Sequence, residues 1–97
     1  GVNEVFLLSY RARTAQGEID LTEMEVRVLS LFFRREGQVI SRGELLESVW
    51  GYASDAETRT LDNFIVRLRK YFERDPSRPV HFQTVRGVGY RFSRSGA

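Results

Sequence analysis

Thr58 to Glu73 reads TRTLDNFIVRLRKYFE, and its periodicity decides the fold. Wound as a helix at about 100° per residue, it lines up Leu61, Ile65, Leu68 and Phe72 on one stripe. The opposite face carries Arg59, Asn63, Val66, Arg67 and Lys70, with Arg74 joining if the helix runs on. A solvated helix face usually mixes charges of both signs. This outer arc holds cations and an amide, while Glu57, Asp62 and Glu73 stand at its edges or ends. An apolar seam anchors such a helix, and its Arg-rich face suits the major groove of a duplex, where Arg pairs with guanine and Asn with adenine.

The rest of the chain is built to hold that helix. Two start signals precede it. Leu21-Thr22-Glu23-Met24-Glu25-Val26 contains a T-x-x-E capping box, with Leu21 and Val26 as its hydrophobic staple. The predicted helix runs to about Arg35 and stops at Gly37, and its apolar content leaves little polar face. Ser41 and Glu44 repeat the box, with Ile40 and Leu45 as the staple, for a second helix that closes at Gly51. Val39-Ile40 between them is a candidate short strand. Upstream, Val5 to Tyr10, Arg11 to Gln16 and Glu18 to Leu21 read as a small antiparallel meander with Gly17 in a turn. Downstream, Asp75 to Pro79 (DPSRP) ends the basic helix. His81–Val85 and Tyr90–Ser93 around Arg86-Gly87-Val88-Gly89 then read as a hairpin. The expectation is an α+β winged helix-turn-helix. Its divisions are a meander over 3–21, a three-helix core over 22–73 and a hairpin wing over 80–94.

Composition narrows the function classes. Ninety-seven residues with 41% hydrophobic content suffice for one domain with its own core. The chain has no cysteine, which excludes disulfides, zinc–thiolate sites and thiol catalysis and suits a reducing cytoplasm. No apolar run approaches membrane-spanning length. The net charge is only +2, but cations crowd the segment from Arg59 to Arg94, where Asp62, Glu73 and Asp75 are the only acids. This polarity points to a polyanionic partner on one side. No nucleophile–base set stands out, and Gly87 and Gly89 lack the strand-to-helix context of a phosphate-binding loop. The single histidine, His81, has no cysteine or carboxylate cluster around it, so no metal, cofactor or enzyme activity is expected.

Four ordered blocks, LTEMEVRVLSLF, ISRGELLESVWG, TRTLDNFIVRLRKYFE and TVRGVGYRF, carry a resemblance to the DNA-binding effector domains of OmpR/PhoB-type two-component response regulators. With the meander it covers essentially the whole chain. It implies a four-stranded N-terminal sheet, three helices and a wing, and a phosphorylatable receiver domain upstream through which a sensor kinase would act. It also implies a cytoplasmic, nucleoid-associated bacterial protein that binds double-stranded DNA as tandem copies on direct-repeat half-sites. By resemblance the third helix enters the major groove. Arg67 is then the residue best suited to base-edge readout, with Asn63 and Val66 beside it. Arg59 and Lys70 are expected at phosphates, as are Arg42, Trp50, Thr84 and Tyr90, with core packing the alternative for Trp50 and for Tyr90. Arg69 either bridges to Asp62 or reaches phosphate, and Arg86 at the wing tip resembles the family's minor-groove finger. The sequence departs from the common family pattern at Phe64, so a histidine contact does not transfer there. The loop 51–57, with Tyr52 and Asp55, corresponds to the surface offered to RNA polymerase. The alternative is a winged-helix protein-interaction module, which would present apolar anchors on the third helix. Apart from Val66 that face is polar.

Overall fold

The computed structural model describes residues 3–51 and 58–96, the Thr58 side chain excepted. An N-terminal antiparallel sheet of β1 (Glu4–Phe6), β2 (Arg11–Thr14) and β3 (Gly17–Asp20) leads into α1 (Glu23–Arg34). Strand β4 (Val39–Ser41), helix α2 (Arg42–Trp50) and helix α3 (Thr58–Phe72) follow, and β5 (Phe82–Val85) and β6 (Gly89–Phe92) form the closing hairpin. The second sheet has the order β4-β6-β5, with Ile40 opposite Tyr90 and Thr84 opposite Tyr90 from the other side.

Both helix starts follow from their caps. Thr22 Oγ1 accepts from the Glu25 N–H at 3.1 Å, and Glu25 Oε1 accepts from the Thr22 N–H at 2.7 Å, the reciprocal pair the sequence calls for. The second box is only half formed. Ser41 Oγ accepts from the Glu44 N–H at 3.1 Å, but the Glu44 carboxylate turns away to pair with Arg35 at the end of α1. An ion pair across two elements there replaces the local return bond.

The N-terminal segment departs from expectation. Val5 to Tyr10 does not run on as a strand: Leu7–Ser9 forms one 3₁₀ turn, and Tyr10 takes a left-handed backbone conformation with φ 57°. Leu8 is fully exposed, so β-prone composition there had no core to pack against. Among the described residues the first sheet therefore has three strands, not the four implied by the resemblance.

The apolar stripes of the three helices meet the inner face of the second sheet. Leu61, Ile65 and Leu68 of α3 are completely buried, with Val28, Leu29 and Phe32 of α1 and Leu45 of α2. Phe82 of β5 sits at the centre of an aromatic group, its ring centroid 5.3 Å from Phe92, 5.8 Å from Phe32 and 6.1 Å from Phe72. Strand β4 ties the wing into this core. Gly89 passes so close to it that a Cβ would lie 2.0 Å from the Ile40 carbonyl oxygen, so only glycine fits. At the hairpin tip the Val88 N–H bonds to the Val85 carbonyl at 3.0 Å, with Gly87 at φ 78°, a tight turn that leaves Arg86 exposed.

Candidate nucleic-acid interface

Helix α3 is fixed from every side except one. Its last carbonyls, which have no partner within the helix, are met from the edges of the N-terminal segment: Gln16 Nε2, in the β2–β3 turn, donates to the Lys70 carbonyl and Asn3 Nδ2, just before β1, to that of Phe72, each at 2.8 Å. Just past its end, the carboxylate of Glu73, 6% exposed, accepts from three successive backbone N–H groups: Val80 at 3.1 Å, His81 at 2.9 Å and Phe82 at 2.8 Å. That carboxylate is the splice between helix and wing. His81 is held in the same region by Nδ1 against the Ser93 carbonyl at 2.8 Å.

The wing-side flank of α3 carries a second splice, centred on Asp62. Its Oδ1 accepts from Arg42 Nη2 of α2 at 2.5 Å and from the Tyr90 hydroxyl of β6 at 2.6 Å. The Arg42 guanidinium lies 5.7 Å from the Tyr90 ring centroid. Burial acts to raise the Asp62 pKa, but the hydrogen bonds from Tyr90 and Arg42 and the charges of Arg42 and Arg69 outweigh it, leaving the carboxyl below its ordinary value. Burial, and then the Asp62 carboxylate, push the Tyr90 phenol up. Arg69 completes the group. Its Nε and Nη2 donate to the Phe82 carbonyl at 3.0 and 2.8 Å, and Nη2 also donates to Thr84 Oγ1 at 2.8 Å. Arg69 thus forms a third link to the wing: its hydrogen bonds go to β5, while its charge is felt at Asp62.

On the other flank, Arg67 stacks over Phe64 at 5.2 Å and directs Nη1 to Glu25 Oε2 of α1 at 3.7 Å. Burial, and then the Glu25 carboxylate, raise the pKa of Tyr71 in the same corner. Trp50 is half-buried, its ring edge-on to Phe64 at 5.4 Å.

What remains outward is a row at helical spacing: Arg59, Asn63, Val66 and Lys70, all exposed. Among the described residues the side chains of Arg59, Asn63, Lys70 and the wing-tip Arg86 make no ion pair or hydrogen bond, and are available to a ligand. Arg67 is exposed on the flank of this row. The structure thus divides the expected cations and hydroxyls into two sets. Arg59, Asn63, Val66, Lys70 and Arg86 face outward, while Arg42, Arg69, Thr84 and Tyr90 are knitted together beneath the wing. Asp62, which organises the second set, was read from sequence as an edge residue and as a candidate partner of Arg69, but its direct bonds go to Arg42 and Tyr90. Its signal was there, an acid one position from Asn63 on a face otherwise cationic. Tyr52 and Asp55 lie outside the described residues.

Residues 16–92 match the family model for the transcriptional regulatory protein C-terminal domain. The chain belongs to this family. Among its relatives is the sensory transduction protein RegX3 of Mycobacterium leprae, 44% identical over 73 residues, which are 75% of this chain and 37% of that protein. The chain spans about a third of the length of the curated relatives it matches. Response regulator DrrB of Thermotoga maritima, an OmpR/PhoB homologue, superposes with a TM-score of 0.81 and 32% identity, covering 96% of this chain and 42% of DrrB. The DNA-binding domain of Klebsiella pneumoniae RstA, solved in complex with the RstA box, superposes with a TM-score of 0.78 and 26% identity over 96% of this chain and 92% of that one. The fold is the winged helix-turn-helix of the OmpR/PhoB response-regulator C-terminal domain.

Proposed function

We infer that this domain binds double-stranded DNA sequence-specifically to regulate transcription, with α3 in the major groove and Arg86 of the wing in the minor groove. The observation that carries this reading is the outward row of α3. Among the described residues its cations and amide have no internal partners, while the other flanks of the helix are tied down. Free guanidinium and ammonium groups at both ends of a rigid helix suit phosphate neutralisation by Arg59 and Lys70, with the base edges between them. Arg42 keeps a third of its side-chain surface exposed beside its bond to Asp62. With Thr84 and Tyr90 it lines the helix–wing junction, where a phosphate would pass, while Trp50, packed on Phe64, would meet one from the opposite flank of α3. In the full-length protein, tandem copies would occupy direct-repeat half-sites after dimerisation of an upstream receiver domain addressed by a sensor kinase. The loop with Tyr52 and Asp55 would face RNA polymerase, and the protein would act in the bacterial cytoplasm on the nucleoid.

The test is fluorescence anisotropy of a labelled mixed-sequence duplex at several salt concentrations. Affinity should fall linearly in log–log form with a slope of about −0.9 per phosphate neutralised. Arg59→Ala and Arg86→Ala should each make that slope shallower by about one contact. Absence of binding at low salt would refute the reading and favour a protein-interaction module.

A further inference from the structure

The outward row contains two residues able to read bases without a charge, and the arginine on its flank, Arg67, is already engaged, while Arg59, the row's own arginine, stands in the first turn of α3, one turn before Asn63. Glu25 is 1% exposed, and its Oε1 is taken by the Thr22 N–H at 2.7 Å. The carboxylate is faced by the guanidinium of Arg67, 3.7 Å from its buried Oε2, and by the hydroxyl of Tyr71, whose pKa it raises. A buried carboxylate is costly unless compensated. Extending Arg67 into a groove would take the cation away from this carboxylate, leaving it the Tyr71 hydroxyl, and would also break the stacking on Phe64. Arg69 is committed to Phe82 and Thr84. Neither guanidinium on the flanks of α3 is therefore free to form a fork on guanine.

Helix geometry says what takes their place. At about 100° per residue, Asn63 and Val66 lie about 30° to either side of the mid-line of the row, whereas Arg67 lies about 70° off it. Their separation along the axis is about 4.5 Å, close to the base-pair rise of about 3.4 Å. Asn63 is exposed and unbonded among the described residues, and Val66, 47% exposed, is an apolar side chain among polar neighbours. An amide matches the N6/N7 edge of adenine, and a branched aliphatic group matches the thymine methyl. We propose that Asn63 and Val66 are the base-reading pair, that the half-site they select is an A·T step in the major groove, and that Glu25 acts as a positioning residue by holding Arg67 out of it. The proposal rests on the DNA-binding reading above.

The experiment begins with selection of duplexes from a random pool by the 97-residue chain, followed by atom-level substitution in the best duplex. Each thymine is replaced by deoxyuridine, each adenine by 7-deazaadenine and each guanine by 7-deazaguanine. One thymine should show about a fourfold loss, the worth of one buried methyl, and that loss should vanish in Val66→Ala. An adenine at the same or an adjacent base pair should show a fivefold or greater loss that vanishes in Asn63→Ala. Both residues are exposed on the helix, so neither variant threatens the fold. Tenfold sensitivity to one 7-deazaguanine, with the thymine and adenine series silent, would overturn the proposal in favour of an arginine reader. So would binding without base preference, which would leave DNA binding itself intact. Failure to retain any duplex would overturn the proposal together with the reading beneath it.

Discussion

Replacing Asp62 with alanine is the sharpest test of how this domain holds its shape. The substitution deletes the acceptor of two charge-assisted hydrogen bonds, from Arg42 at 2.5 Å and Tyr90 at 2.6 Å. Such bonds contribute about 1.5–3 kcal/mol each when dry. The Arg42 and Asp62 side chains are 33% and 43% exposed, so the ionic part falls toward the value of about 0–1 kcal/mol for a surface pair. The Tyr90 bond, made by a buried residue, keeps more of its worth. Together the loss comes to about 2 kcal/mol, which for a domain of this size lowers Tm by about 10 °C. Urea titration followed by tryptophan fluorescence would measure it, with Tyr90→Phe and the double variant completing a thermodynamic cycle. A coupling of about 1 kcal/mol between positions 62 and 90 is expected. Strict additivity, or an Asp62→Ala variant as stable as the parent, would refute the role assigned to this carboxylate.

Glu73→Ala should be more damaging, because it leaves the buried N–H group of Phe82 and the part-buried N–H groups of Val80 and His81 without their acceptor. The cost is about 3–5 kcal/mol by urea denaturation, with Glu73→Gln recovering roughly half. Acid should weaken the domain through Asp62 and through Asp75, whose carboxyl is held below its ordinary value by hydrogen bonds from the Ser77 hydroxyl and N–H. Both pKa values are depressed in the folded state. Their contribution is therefore fully present above the unfolded carboxylate pKa of about 3.9 and is lost as pH falls through the folded values. Stability measured between pH 5 and pH 2 (both approximate limits) should decline, and less steeply in Asp62→Ala.

Much of the architecture was legible because local signals and apolar periodicity agreed. The Thr22–Glu25 box, the stripe Leu61, Ile65, Leu68 and Phe72, and the Gly-rich hairpin tip each point to the element that forms. The reading failed where the deciding partner is remote. Glu44 has the right spacing to close its own box, but Arg35 outbids the local N–H. The run Val5 to Tyr10 has strand-forming composition, yet nothing covers Leu8, and the chain turns after Phe6. At the interface, helical spacing correctly put Arg59, Asn63, Val66 and Lys70 outside. It could not assign Arg69 to Phe82 and Thr84, because that bond depends on where a strand returns 13 to 15 residues later. The partners of Asp62 were missed for the same reason, Arg69 being the one that helical spacing offered. Arg42 and Tyr90 lie 20 residues before Asp62 and 28 after it.

The Asp62 and Glu73 splices have a consequence for the nucleic acid more than for the protein. A helix and a hairpin joined at both ends of their contact have a fixed offset, as the jaws of a set caliper do. When such a tool meets a duplex, the mismatch between the caliper's gap and the local groove geometry has to be absorbed by the DNA. Stiff and pliable steps differ in that elastic cost. The domain would thereby discriminate among sites at base pairs lying between its two jaws, positions that none of its side chains touches.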